Sequence, residues 1–179
     1  MYQGTNPSAL DSQRRIAGAM MDLMTARPYD AISVAALCRT AGVSRQTFYT
    51  LFRSRENVIT YLLSQDAGNA PVDCSNLDAM LHAYCRSYTQ FVVRKEPVLR
   101  QLAANGMMSV LFRLFSASIQ RINYLQRYVC EELRPYLAGY VAAGLTSITL
   151  TYLCSDTDPD TLESVAYTLL KGQLFDKEV

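Results

Sequence analysis

Apolar residues recur at helical spacing along nearly the whole chain. The first apolar stripe predicts a helix over residues 11–26, which stops at Arg27-Pro28. Residues 1–8 lack this pattern and are expected to form a frayed arm. Three short helices should follow, each beginning after a serine that caps its first turn: Ser33, Ser44 and Ser54.

The chain after residue 75 is also helical, and its prolines indicate where helices begin. Pro97, Pro135 and Pro159 each suit the first turn of a helix. The pattern predicts helices over 76–94, 97–104, 107–129, 135–154 and 159–174. The turn-forming segment GNAPVDCSN separates them from the earlier helices. We therefore expect an all-α fold with two domains, residues 1–65 and residues 66–179.

The two short helices around Gly42 have the spacing of a helix-turn-helix. Gly42 can adopt the positive φ that a sharp corner needs, and Cys38 is small enough for the helices to approach closely. The apolar positions would form a shared core: Leu37, Ala41, Val43, Phe48 and Phe52. This arrangement turns the other side chains outward: Arg45, Gln46, Thr47, Tyr49 and Thr50.

The charge distribution indicates a partner for this outward face. The whole chain has a formal net charge of +1, which by itself indicates none. Residues 1–60, however, contain seven arginines and four acidic residues, whereas residues 61–179 contain ten basic and twelve acidic residues. A polyanionic partner is therefore expected at the N-terminal domain.

The outward residues have the chemistry of a DNA-reading helix. Arg45 can bind guanine O6 and N7, and Gln46 can pair with an adenine edge. Hydroxyl groups and the helix N-termini after Ser33 and Ser54 can hold phosphate oxygens, and Arg55 adds a cation. The spacing alone also fits a helical corner whose polar residues only face water.

A longer pattern favours DNA binding. Several pieces occur in order: Ser33-Val34, Leu37-Cys38, Ala41-Gly42-Val43-Ser44, Thr47-Phe48-Tyr49, Phe52 and Ser54-Arg55-Glu56. Together they resemble the N-terminal signature of TetR-type bacterial transcription regulators. The resemblance covers residues 10–65. It implies a three-helix helix-turn-helix DNA-binding domain, followed by a C-terminal helical bundle for ligand binding and dimerisation.

The resemblance also implies roles for single residues. Ser33, Tyr49 and Arg55 stand at positions that contact phosphate, and others read bases or face the groove. The DNA-binding set is Ser33, Ser44, Arg45, Gln46, Thr47, Tyr49, Thr50 and Arg55. Three residues depart from the family pattern, among them Cys38, which replaces the usual alanine. Gln46 replaces a usual glycine, and Leu51 replaces a frequently polar or aromatic residue, which suggests an apolar contact to a thymine methyl.

The uncharged run over 135–155 needs a separate explanation. It is about as long as a membrane span, but glycines, hydroxyl residues and three tyrosines dilute it. A helix that is apolar all round can instead be buried in protein. In the family resembled, the last two helices form a four-helix dimer interface. We expect a homodimer through 135–154 and 159–174 and no membrane insertion, with an intrachain core as the competing interpretation.

The middle helices, residues 76–129, would by the same analogy enclose a ligand. Their aromatic, methionine and scattered polar residues suit an apolar pocket with a few orienting groups. The candidate pocket residues are His82, Tyr84, Tyr88, Tyr124 and Tyr128. Such residues at helical spacing are also typical of an ordinary core.

No other chemistry is indicated. The five cysteines form no CxxC pair, and one histidine leaves little for metal or acid–base work, so we expect no metal, no cofactor and no enzyme. Reduced cysteines and the lack of an apolar leader favour a cytoplasmic protein.

The first hypothesis is a homodimeric repressor that binds a palindromic operator in double-stranded DNA and is released by an unidentified small, mainly apolar effector. The alternative is a DNA-tethered adaptor whose C-terminal domain binds a protein partner.

Overall fold

The computed structural model of the chain describes residues 2–64, 76–122 and 129–175. Within these ranges the chain forms eight α-helices, one short 3-10 helix and no strand, which confirms the all-α fold. Contacts between Cα atoms divide the chain into two compact units, Met1–Ala67 and Gly68–Val179. The predicted domain boundary after residue 65 lies outside the described residues and stays a prediction.

The first unit contains four helices, α1 (Pro7–Ala26), α2 (Val34–Ala41), α3 (Arg45–Leu51) and α4 (Arg55–Ser64). A 3-10 helix, Tyr29–Ala31, connects α1 to α2. Because α1 packs against each of the other three, their apolar faces share one core. The largest side chains buried there are Ile16, Met20, Ile32, Leu37, Phe48, Phe52, Ile59 and Leu63.

Serine side chains determine where the short helices begin. The Oγ atoms of Ser33, Ser44 and Ser54 each accept the backbone N–H three residues later, at 3.1, 3.0 and 3.2 Å. Each bond satisfies an N–H that the first turn of a helix leaves without an intrahelical partner. The three predicted caps are therefore confirmed.

Gly42 forms the corner between α2 and α3. Its φ is +63°, in the left-handed region that a residue with a Cβ adopts at a cost. A Cβ at this position would also lie 2.5 Å from Nη2 of Arg15. The corner therefore requires glycine for two reasons. Cys38 is buried as predicted, whereas Val43, predicted in the core, is only partly buried.

The N-terminal arm differs from the prediction. α1 begins at Pro7 rather than at residue 11, because Asn6 caps its first turn through a side-chain bond of 3.0 Å. The N–H of Tyr2 donates to the carbonyl of Leu51 at 2.8 Å, and the carbonyl of Tyr2 accepts from Nε2 of Gln13 at 3.1 Å. These bonds fasten residues 2–6 to the first unit, so the expected frayed arm is wrong over that stretch.

The second unit contains α5 (Leu77–Ala104), α6 (Met108–Ile119), α7 (Arg134–Cys154) and α8 (Pro159–Phe175). α7 packs against the other three helices, and α5 also packs against α6 and α8. Pro135 and Pro159 lie in first turns, as predicted. Fully buried side chains from all four helices form the core: Cys85, Val92, Leu99, Leu102, Leu111, Ala138, Ala142, Leu145 and Ala166.

Pro97 does not begin a helix, and the predicted break between residues 94 and 97 is wrong. It lies inside α5, although a proline removes one intrahelical hydrogen bond and costs about 3 kcal/mol in a helix interior. Val92, Leu99 and Leu102 are fully buried on both sides of it. This packing holds the helix continuous where the local preference opposes it.

The predicted helix over 107–129 is also too long. α6 ends at Ile119, and residues 120–122 and 129 are not helical. Residues 123–128 lie outside the described residues.

Candidate nucleic-acid interface and subunit interface

α3 presents one polar face to solvent and buries the other. The exposed or partly exposed side chains are those predicted: Arg45, Gln46, Thr47, Tyr49 and Thr50. Phe48 and Leu51 are buried on the opposite side. The predicted contact of Leu51 with a thymine methyl is wrong, because its side chain is only 3% exposed and belongs to the core.

Local hydrogen bonds hold the hydroxyl groups of this face. Oγ of Ser44 lies 2.8 Å from Oγ1 of Thr47. Oγ1 of Thr50 donates to the carbonyl of Gln46 at 2.9 Å. These hydroxyl groups therefore have fixed positions and retain lone pairs for a further partner.

The longer side chains of the face are available to a partner. Within the ranges that the structure describes, the side chains of Arg45 and Gln46 make no hydrogen bond. Tyr49 is 53% exposed, and its ring packs edge-on against Phe48 with 5.3 Å between the centroids. The face thus combines an anchored aromatic ring with an accessible guanidinium and an accessible amide.

Arg55 contacts the segment that precedes α2. Its Nη1 donates to the carbonyl of Tyr29 at 2.9 Å and to the carbonyl of Ile32. Its guanidinium lies 4.7 Å from the centroid of the Tyr29 ring. Burial raises the pKa of Tyr29, and the charge of Arg55 opposes that shift. The arginine predicted to contact phosphate thus already has partners within the chain.

Arg15 contacts the other end of α2. Its Nη2 donates to the carbonyls of Ala41 and Gly42 at 2.6 and 2.7 Å. The sequence analysis missed this residue, because an arginine at the edge of a helical stripe gives no sign of a partner 26 residues away.

A polar groove of ≈ 330 Å³ lies between the start of α1 and the exposed face of α3. Its lining residues are Asn6, Ser8, Ala9, Ser12, Gln46, Thr47, Thr50 and Leu51. No acidic side chain is among these lining residues, which suits a polyanionic partner. Ser8 and Ser12 were missed because residues 1–8 lacked an apolar stripe.

Arg53 is a second cation near the start of α4 that the sequence did not single out. It is exposed, and its φ of +65° makes it the one non-glycine residue with positive φ in the described ranges. Positive φ is uncommon for residues with a Cβ and occurs often at functional positions. No sequence signal distinguishes this arginine from others in the turn.

The outer face of the second unit is apolar and uncharged. Tyr136 and Tyr140 of α7 are 77% and 54% exposed, and Leu150 continues the same stripe. Val165 and Leu169 of α8 are also exposed. α7 is long and apolar enough to cross a membrane, but the core helix of a soluble protein passes the same test. Exposed apolar stripes on soluble proteins mark interaction sites.

Three glycines on these two helices have no packing role among the residues that the structure describes. A Cβ built on Gly139, Gly144 or Gly172 would meet no atom within 4 Å. Glycine in a helix interior costs about 0.5–1 kcal/mol relative to alanine. Such positions allow a second helix to approach closely.

Tyr88, a predicted pocket residue, is buried and bonded to α7. Its hydroxyl lies 2.9 Å from Oγ1 of Thr149 and donates to the carbonyl of Leu145 at 3.2 Å. Burial raises the pKa of Tyr88, and likewise that of the partly buried Tyr84.

Of the other pocket candidates, Tyr84 lies one helical turn before Tyr88 on α5, whereas His82 has partners of its own. His82 is exposed, stacks on Tyr167 with 3.8 Å between ring centroids, and lies 3.7 Å from Asp78. Tyr124 and Tyr128 lie outside the described residues.

The buried thiols are unreactive. Burial raises the pKa of Cys85 to about 12 and also raises that of Cys38. Thiols with raised pKa values stay protonated at neutral pH and are poor nucleophiles.

Residues 16–62 match the family model described as bacterial regulatory proteins, tetR family. The match covers α2, α3 and most of α1 and α4, the helices that build and hold the polar face. The N-terminal helices are therefore of the tetR type. The resemblance read from the sequence is thereby confirmed.

Two curated HTH-type regulators are similar to part of this chain. The HTH-type dhaKLM operon transcriptional activator DhaS of Lactococcus lactis subsp. lactis is 38% identical over 55 residues, 31% of this chain and 29% of that protein. The HTH-type transcriptional regulator EthR of Mycobacterium tuberculosis is 37% identical over 71 residues, 40% of this chain and 33% of that protein. The chain thus matches about a third of the length of these relatives.

A solved structure extends the likeness to the fold of the whole chain. NalD, the secondary repressor of the MexAB-OprM multidrug efflux pump in Pseudomonas aeruginosa, is 17% identical with a TM-score of 0.52. The superposition covers 89% of this chain and 94% of that one. At this identity the likeness shows the tetR-type fold alone.

Proposed function

We propose that this chain is a cytoplasmic, sequence-specific DNA-binding transcription regulator that acts as a homodimer. The exposed face of α3 carries the proposal. It presents Arg45, Gln46 and Tyr49 to solvent on a helix whose opposite side is anchored in the core. An α-helix fits the major groove, where each base pair offers a distinct set of donors and acceptors.

The side chains of the face divide into two roles. Arg45, Gln46, Thr47 and Thr50 read base edges or line the groove. The phosphate backbone is held by Ser33 and Ser44, which cap α2 and α3, and by Tyr49. Base contacts give sequence specificity, whereas phosphate contacts give register and most of the salt dependence.

The test is DNA binding by fluorescence anisotropy and footprinting on the chain's own upstream region. Combined Arg45→Ala and Tyr49→Phe should weaken binding on the order of 100-fold, because each half-site loses a base contact and a phosphate contact. Arg14→Ala, at an exposed position outside the face, should leave it unchanged. An unchanged footprint for the first variant, or a footprint without two-fold symmetry, contradicts the proposal.

The partner for the uncharged face of α7 and α8 is a second copy of the chain. One α3 helix reads only a few base pairs, whereas two related by a two-fold axis read half-sites about 34–36 Å apart. Tyr140→Lys should dissociate the dimer in sedimentation experiments, because it places a charge in the apolar face. Tyr49→Lys, at a nearly equal exposure of 53% against 54%, is the matched control. A dimer that survives Tyr140→Lys counts against this interface.

The chain is further proposed to repress transcription and to be released by a small, mainly apolar ligand in the second unit. Buried aromatic pairs there, such as Tyr88 with Phe115 and Phe91 with Phe115, provide an apolar environment. The ligand must bind one dimer geometry better than the other to change DNA affinity. Among the similar proteins one is named an activator and one a repressor. A reporter assay with and without the chain therefore tests whether this chain represses or activates transcription.

The alternative is an adaptor whose second unit binds a protein. It is favoured by the exposure of His82 and by the bonds that engage Tyr88, since neither then lines a ligand site. Mass spectrometry of the purified dimer for a bound small molecule, followed by its effect on DNA binding, separates the two. A bound molecule that lowers DNA affinity supports the ligand-controlled repressor. A dimer that carries no such molecule supports the adaptor.

A further inference from the structure

Both ends of α2 are held by arginines from other helices. Arg15 of α1 bonds the carbonyls of Ala41 and Gly42 after the last turn, and Arg55 of α4 bonds the carbonyls before the first turn. We infer that Arg15 and Arg55 are positioning residues of the DNA interface, and that Arg55 acts through α2 rather than by binding phosphate. The inference rests on the proposed function.

At the first end, Arg55 determines where α2 begins. It bonds the carbonyl of Ile32, and the next residue is Ser33, which caps α2. The guanidinium also lies over the ring of Tyr29, so its flat face and Nη1 both have partners within the chain. These contacts hold the guanidinium at the start of α2 and leave only Nη2 and Nε as donors for another partner.

At the second end, Arg15 determines where α2 stops and α3 starts. The last carbonyls of a helix carry the negative end of its dipole, which a guanidinium stabilises. Gly42 leaves room for Nη2, because a Cβ there would lie 2.5 Å from it. Arg45, the first residue of α3, follows three positions later, so the placement of the reading helix depends on this contact.

Positioning and phosphate binding differ in the salt dependence of DNA affinity. Each phosphate contact contributes about 0.9 to the slope of log affinity against log salt, or about 1.8 for a dimer. A positioning residue changes the affinity but leaves the number of released counterions unchanged. Conservative replacement also separates them, because lysine retains the charge but not the planar stack on Tyr29.

The experiment measures DNA affinity between about 50 and 200 mM salt. The temperature is kept well below the melting temperature of each variant. Arg55→Gln should weaken binding on the order of tenfold with the wild-type slope, and Arg55→Lys should not restore it. A slope smaller by about 1.8 for Arg55→Gln, or full affinity for Arg55→Lys, identifies a phosphate contact and overturns the inference. Unchanged affinity for Arg55→Gln overturns it as well, because the arginine would then serve stability alone.

Amide hydrogen exchange without DNA separates this inference from the proposed function. Arg55→Gln should speed exchange in the first turn of α2, and Arg15→Gln should speed it at the corner after Ala41. The matched controls Arg53→Gln and Arg14→Gln remove neighbouring exposed charges and should leave α2 protected. Unchanged exchange in both test variants overturns the inference. Absence of salt-dependent DNA binding by the wild-type chain overturns the proposed function alone.

Discussion

The hydrogen bonds inside the first unit differ in kind from those inside the second. In the first unit, serine caps and the two arginines bond side chains to the backbone at helix ends. In the second unit, Asn76 and Asp158 also cap helices and Arg100 bonds a carbonyl at the end of α7. Side chains there bond in addition across long helices, as Tyr88 does with Thr149 and Tyr167 with Asp78 at 2.6 Å. The first arrangement fixes short helices accurately, and the second joins long helices that present an apolar outer face.

On the proposed function, the first unit contributes the helix that reads DNA and the second contributes the face that pairs with another copy. A helix that reads DNA must keep its polar face in a defined place, so the side chains that support it bond the backbone at helix ends. The proposed pairing face needs only extended uncharged surface, which long apolar helices supply. The following substitutions test the contrast, beginning with the largest effect.

Neighbouring aromatic residues of α3 should respond in opposite ways. Phe48→Ala removes a fully buried ring and should lower the free energy of unfolding by about 3–5 kcal/mol. Tyr49→Ala removes a ring that is 53% exposed and should change it by less than about 0.5 kcal/mol. DNA affinity at low temperature should instead fall with Tyr49→Ala. Equal stability losses in urea unfolding would show that both rings belong to the core.

Two glycines with nearly equal φ, one in each unit, isolate the contribution of Arg15. Gly42 and Gly106 have φ of +63° and +66°, but a Cβ would meet Arg15 at the first and nothing within 4 Å at the second. Each alanine substitution should cost about 1–2 kcal/mol of unfolding free energy. Gly42→Ala should cost about 1 kcal/mol more, because it displaces hydrogen bonds of Arg15. Equal losses in thermal unfolding would mean that Arg15 moves aside freely.

The buried hydroxyl of Tyr88 should contribute a smaller amount. Tyr88→Phe removes its bonds to Thr149 and Leu145 and should cost about 1 kcal/mol of unfolding free energy. Tyr49→Phe, which removes the hydroxyl of a half-exposed ring on α3, is the control and should have no effect on unfolding. A neutral result for Tyr88→Phe would show that packing alone joins α5 to α7.

The smallest expected effect is the acid sensitivity of the junction between α5 and α8. Bonds from Tyr167 and then from Lys171 lower the pKa of Asp78. Because the pKa in the folded state lies below the unfolded value of about 3.9, this contribution is present above that pH and is lost as pH falls through the folded-state pKa. Asp78→Asn should therefore flatten the fall in melting temperature between about pH 5 and pH 3. Asp22→Asn, an exposed acid of α1, is the control, and identical curves for the wild type and Asp78→Asn contradict the prediction.

The sequence predicted most of the first unit, because its helix ends depend on neighbouring residues. Ser33, Ser44 and Ser54 cap helices through bonds that span three residues, and Gly42 forms its corner through its own φ. The outward face of α3 followed from the predicted burial of Phe48, which lies between Thr47 and Tyr49 in the sequence. Such relations are short enough to be visible as motifs.

Relations between distant residues were not predictable. Pro97 has the local properties of a helix start, yet buried residues on both sides keep α5 continuous. Arg55 matched a phosphate-contacting position, but its carbonyl partners lie 23 and 26 residues earlier in the chain. The pocket prediction was weak for the same reason, because tyrosines at helical spacing do not reveal which helix each one meets.

The division into a reading unit and a pairing face determines how defective copies behave in a cell that also makes the normal chain. A subunit with Arg45→Ala and Tyr49→Phe keeps the α7 stripe, so on the proposed pairing it forms mixed dimers that engage one half-site. In excess it withdraws normal subunits from the operator, and the allele is dominant. A Tyr140→Lys subunit cannot enter dimers, and its allele is recessive.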